Sequence, residues 1–114
     1  MPEPNQNQPS SSADLLIVKT ACDSIEEARQ LAELLLNHGL GAAVQISSIE
    51  SLYWWEGDLC EKEEWELSCM TRAELYPRVE ELILAEHSYR VPEIIAVPIA
   101  AVSDSWAGWV REYT

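Results

Sequence analysis

Ser51-Leu52-Tyr53-Trp54-Trp55-Glu56-Gly57-Asp58 is the run that decides the fold. It carries two of the five Trp and lies between two runs that read as strands. Gly57-Asp58 is a two-residue turn signal, because Gly accepts positive φ without steric cost. The expectation is a long β-hairpin, with residues 44–56 and 60–71 as its limbs. An isolated hairpin is unstable in water. Exposed ring surface costs about 25 cal/mol per Å². The arm therefore needs a cover, and other copies of the same chain are the expected one.

Within the first limb, Val44 and Ile46 share one face. Ser47-Ser48 interrupts, and Ile49, Ser51, Tyr53 and Trp55 take the opposite parity. Such a switch predicts a bulge or bend at the two serines. On the returning limb Trp65, Leu67 and Cys69 share a face, and Glu64, Glu66 and Ser68 the other. Adjacent strand residues point to opposite sides, so the acidic run does not converge on a metal. A solvated, edge-protecting face is expected there.

Upstream, Leu15-Leu16-Ile17-Val18 is apolar on both faces and continues through Lys19 and Thr20, which reads as a central strand. Ser24-x-x-Glu27 is a capping box, with Asp23-x-x-Glu26 as an alternative. Ile25, Ala28, Leu31, Ala32 and Leu35 recur at helical spacing. Gly39 is a natural residue just past the helix end, and His38 in the last turn suits the helix dipole. Downstream, Thr71-x-x-Glu74 is expected to cap a second helix, and Pro77 fits only its first turn. Leu75, Val79, Leu82, Ile83 and Glu86 mark one stripe, apolar except at its end, and the helix ends near His87. Val91-Pro92 forces extended backbone, and residues 93–99 read as a fourth strand with Pro98 at a free edge. Ser103 and Asp104 cap a last helix, whose Trp106, Trp109, Val110 and Tyr113 form a packing face.

The order is βαββαβ plus a terminal helix: an α+β, ferredoxin-like sandwich with an antiparallel sheet, a long β-hairpin arm and a C-terminal helix. Both main helices fall on one face of the sheet, which leaves the other face wanting a partner.

At 114 residues the chain makes one domain, residues 14–114. It follows a Pro-, Ser-, Asn- and Gln-rich tail over residues 1–13, expected to be disordered. Twenty acidic against seven basic residues give a net charge of −13, which argues against nucleic acid. No apolar run is long enough to span a membrane. Cys22, Cys60 and Cys69 are odd in number and widely spaced, so they are not a disulfide framework. They fit a reducing, cytoplasmic setting. Among sequence motifs there is no nucleophile–base pattern and no Gly-rich phosphate loop, so a non-enzymatic role is expected.

Leu52-Tyr53-Trp54-Trp55-Glu56-Gly57, an acidic strand ending near Thr71-Arg72, and His87-x-Tyr89-x-x-Pro92-Glu93-Ile94 together resemble the CutA family of divalent-ion tolerance proteins. The similarity runs from about Leu15 to Val110. It implies a homotrimer whose hairpin arms cross onto neighbours, with Tyr53, Trp54 and Trp55 in the interface. It implies a link to copper and other divalent ions, with His87 and Glu93 as candidate metal ligands and Cu²⁺ or another divalent cation as the ion. Ala43 and Lys19 stand where members of the family carry Cys, Ser88 where Pro is usual, and Met70 where Lys is expected. The resemblance extends to PII signalling proteins in fold and assembly. The alternative reading is thus a PII-like trimeric small-ligand sensor, with Lys19, Trp54 and Tyr89 in an inter-subunit pocket. Lys19, ending a buried strand, either pairs with a carboxylate, for which Glu93 is the candidate, or snorkels to the surface along its long stem.

Overall fold

A computed structural model describes residues 14–114; the tail expected over residues 1–13 lies outside them. The elements are β1 (Leu15–Cys22), α1 (Ile25–Asn37), β2 (Ala43–Trp55), β3 (Asp58–Arg72), a 3₁₀ turn (Ala73–Leu75), α2 (Tyr76–Glu86), β4 (Ile95–Pro98) and α3 (Asp104–Glu112). They form one antiparallel sheet in the order β2-β3-β1-β4. This is the ferredoxin-like order that the βαββαβ reading requires.

Val18 and Cys22 of β1 and Leu67 and Cys69 of β3 point to one face of the sheet. There they meet Ala28, Leu31, Ala32 and Leu35 of α1 and Val79 and Ile83 of α2. All are buried, so each helix buries the centre of the stripe its spacing foretold, while Ile25, Leu75 and Leu82 are half-buried. The Ser24 hydroxyl accepts from the Glu27 amide at 3.1 Å. The Glu27 carboxylate reaches the Asp23 amide, one residue before the usual capping-box partner. Gly39, with φ +67°, takes the left-handed conformation after α1.

Three expectations are corrected. The hairpin register runs without interruption from Ala43↔Met70 to Trp55↔Asp58, so there is no bulge at Ser47-Ser48. The parity switch has another cause. Val44 and Ile46 pack against the helix-covered core, and beyond them the strand leaves the body, so helices no longer select that face. The turn is Glu56-Gly57, not Gly57-Asp58. Both turn residues have positive φ, +49° and +86°, as a type I′ hairpin turn demands. Thr71 does not cap α2. It is buried within β3, and α2 starts after the 3₁₀ turn with Pro77 in its first turn and no side-chain cap.

The terminal helix departs from expectation as well. α3 packs Ala107 and Val110 against Leu15, beside Met70, Ile99 and Val102. Leu15 faces away from Val18, so α3 covers one end of the sheet face opposite α1 and α2. Its aromatic stripe lies largely outward. Trp106, Trp109 and Tyr113 stack with centroids 4.9 and 5.5 Å apart, and Trp106 and Tyr113 are exposed. β4 spans four residues rather than seven and, among the described residues, pairs with β1 alone, which leaves Pro98 on an edge strand. The hairpin arm projects from this body. The radius of gyration is 15.9 Å, against about 13 Å for a compact domain of about 100 residues.

Candidate functional site

The site is built where the chain leaving α2 folds back onto the far end of β1. His87 caps α2, and its side chain is completely buried. Its Nε2 lies 2.9 Å from the Ala21 carbonyl, and its Nδ1 lies 3.0 Å from the Tyr89 amide. A carbonyl only accepts and an amide N–H only donates. Nε2 therefore carries the proton, and Nδ1 presents a lone pair. Glu27 Oε1 sits 3.9 Å from that Nδ1, and Glu27 Oε2 accepts from the Ser88 amide at 3.2 Å. Cys22 completes the group: one donor atom each from Cys22, Glu27 and His87 lie within 4.8 Å of one another. Burial, then the Glu27 charge and a hydrogen bond to Glu27, push the Cys22 thiol up to about 12.

A cleft of about 790 Å³ opens next to this group, lined in part by Tyr53, Trp55, Lys62, Glu64, Tyr89 and Glu93. The Tyr89 hydroxyl donates to Glu64 at 2.7 Å. Lys62 stands over the Tyr89 ring, 4.7 Å from its centroid, and pairs with Asp23 at 2.5 Å. The Asp23 hydrogen bond, followed by one with Tyr89, holds the Lys62 ammonium above its ordinary pKa. At the cleft mouth Arg90 lies 5.6 Å from the Trp55 ring centroid and 3.7 Å from Glu56.

The structure sorts the residues singled out from sequence. Tyr89 and Glu93 line the cleft together with Tyr53 and Trp55. Trp54 points to the opposite side of the arm, as strand alternation requires, and is 74% exposed. His87 is grouped with Cys22 and Glu27, and Glu93 stands outside that group. Lys19 pairs with Glu66 at 3.3 Å and not with Glu93. The diagonal neighbour across the β1–β3 ladder was simply nearer than a loop carboxylate. Both side chains of that pair are about a third exposed, so the pair contributes less than about 1 kcal/mol.

Four site residues escaped the sequence reading. Glu64, expected on a solvated face, is buried under Tyr89. Glu27 was legible only as a cap, and Cys22 only as one of three scattered thiols. Lys62 sat unremarked within an acidic run. Their convergence depends on the path of residues 87–93, which no local periodicity encodes.

Comparison with known proteins gives a consistent result. Residues 16–113 match the family described as CutA1 divalent ion tolerance protein. The divalent-cation tolerance protein CutA of Thermus thermophilus is 36% identical over 99 residues, 86% of this chain and 96% of the relative. The structure of CutA from Synechococcus elongatus superposes with a TM-score of 0.89 at 29% identity, covering 94% of this chain and 96% of that one. The periplasmic divalent cation tolerance protein CutA of Archaeoglobus fulgidus superposes with a TM-score of 0.85 at 33% identity, covering 87% and 97%.

Proposed function

This chain belongs to the CutA1 divalent ion tolerance family, and from that membership we propose that it is a cytoplasmic, homotrimeric protein of divalent-cation tolerance that binds copper or another divalent ion. Its role is response or buffering rather than catalysis. The observation that carries the assembly is the arm. Leu52, Trp54 and Leu59 are each more than 60% exposed near its tip, an apolar patch of the kind that marks an interface. A closed ring of copies covers three such arms with one repeated contact. Tyr53, Trp54 and Trp55 belong to that contact. For the ion, His87 supplies a lone-pair nitrogen next to a carboxylate, and Glu93 stands on the wall of the neighbouring cleft.

Light scattering on the full chain tests the assembly. The expected mass is three times 12.9 kDa, and a stable monomer at micromolar concentration overturns it. Growth of a deletion strain in raised Cu²⁺ or Zn²⁺ tests the tolerance role; growth equal to the parent's overturns it. Three free cysteines support a reducing compartment. Among the described residues no helix is long and apolar enough to cross a membrane. Because one relative is periplasmic, cell fractionation is the test of location.

A second reading rests on the cleft. Its volume of about 790 Å³ falls in the range of small-molecule sites, about 300–1,000 Å³. Lys62, Arg90 and three aromatic rings on its walls suit an organic anion, as in a PII-like sensor. A shift in Trp fluorescence with a metabolite panel, and none with metal, favours this reading.

A further inference from the structure

The three donors around His87 come from three separate elements. Cys22 ends β1, Glu27 lies in the first turn of α1, and His87 caps α2. Cys22 and the His87 ring are fully buried, and the Glu27 side chain is 17% exposed. The group is therefore closed except on the Glu27 side. Two backbone groups fix the histidine tautomer: the Ala21 carbonyl holds the Nε2 proton, and the Tyr89 amide donates to the lone pair of Nδ1, with Glu27 Oε1 3.9 Å from that nitrogen. A ring N–H anchored on a carbonyl, with the other nitrogen unprotonated and a carboxylate beside it, is the tautomer of a metal-ligating histidine.

We propose that Cys22 Sγ, Glu27 and His87 Nδ1 form a binding site for a zinc-class divalent cation, deepening the divalent-cation reading above and resting on it for its role in the cell. Thiolate, imidazole and carboxylate are the donors that zinc takes, and three protein ligands leave a fourth position open. Ligand atoms around a tetrahedral ion stand about 3.3–3.8 Å apart for bonds of about 2.0–2.3 Å. The observed limit of 4.8 Å requires an inward shift of about 1 Å, which side-chain rotation supplies. One thiolate and one carboxylate neutralise a dipositive ion, so the loaded site carries no net charge. On binding, the Cys22 S–H bond breaks, a sulfur–metal bond forms, and the proton leaves to solvent without any change in oxidation state. The ion also takes the Nδ1 lone pair from the Tyr89 amide, so binding loosens the segment that closes the adjacent cleft.

The test is titration of the full chain with Co²⁺ alone, under reductant and without oxygen, followed by displacement with Zn²⁺. The expected result is one Co²⁺ per chain, a thiolate-to-cobalt charge-transfer band, and release of about one proton per ion. Cys22→Ala abolishes the band, whereas Cys60→Ala and Cys69→Ala keep it. Absence of the band, or its survival in Cys22→Ala, overturns the proposal. Glu27→Gln serves if Cys22→Ala does not fold: the expectation is at least tenfold weaker Co²⁺ binding, and an unchanged affinity overturns the site. Failure here leaves the tolerance role standing, because the deletion-strain growth comparison does not depend on Cys22. Equal growth of deletion and parent strains rejects the role whatever cobalt does.

Discussion

The Tyr89 hydroxyl donates a 2.7 Å hydrogen bond to the Glu64 carboxylate, pinning the segment after α2 to the middle of β3. Glu64 is 6% exposed, so this contact replaces much of the water that an acidic strand residue would otherwise keep. Tyr89→Phe leaves the carboxylate without that donor and is expected to destabilise the fold by about 1–3 kcal/mol in denaturant titration. Adding Glu64→Leu removes the stranded acceptor, so the double variant loses less than the sum of the singles. Additive losses reject the pairing as a source of stability.

A close approach favours glycine at position 41. A Cβ at this position would lie 2.5 Å from Cys69 Sγ in the core. Gly41→Ala is expected to cost about 1–3 kcal/mol through overpacking. Combined with Cys69→Ala, which removes the obstructing sulfur, most of that added cost disappears. A thermal melt unchanged by Gly41→Ala shows instead that the 39–42 connection moves freely.

Stability is expected to fall in alkali, with Cys69 as one cause. Burial raises its thiol from 9.0 to about 12. Between these values the unfolded chain has released the proton and the native chain retains it. Native stability from this group is therefore complete below pH 9 and is lost as pH rises toward 12. Chemical denaturation at steps from pH 8 to 11 measures the slope. Cys69→Ala is expected to flatten it, and an identical slope rejects the assignment.

Glu56 occupies a left-handed turn position at φ +49°, which costs an ordinary L-residue about 1–2 kcal/mol. Glu56→Asn is expected to recover up to about 1 kcal/mol, since Asn tolerates that region better. The lost ion pair with Arg90 is 3.7 Å long with both side chains above 70% exposed, so it offsets only a few tenths of that gain. A lowered melting temperature means that the Arg90 contact outweighs the turn.

The sequence by itself determined the element order, the helix stripes and the neighbouring of β1 and β3. These follow from local periodicity, from Ser24 and Gly39 at the ends of α1, and from the right-handed connections open to a βαββαβ chain. It also carried the aromatic arm and the His87–Glu93 segment that mark the family. Tertiary structure decided the rest. Whether Glu56-Gly57 or Gly57-Asp58 turns the arm depends on a one-residue register, set along the whole ladder rather than at the glycine. Ser47-Ser48 resembled a bulge because parity reports which face is covered, and coverage ends where α1 and α2 end. Lys19 chose Glu66 over Glu93 through a cross-strand diagonal. Cys22, Glu27 and His87 converge from positions up to 65 residues apart in the chain, because the strand end, the helix start and the helix cap meet at one edge of the core. No sequence spacing encodes such a meeting; only packing brings those three donors within reach of one another.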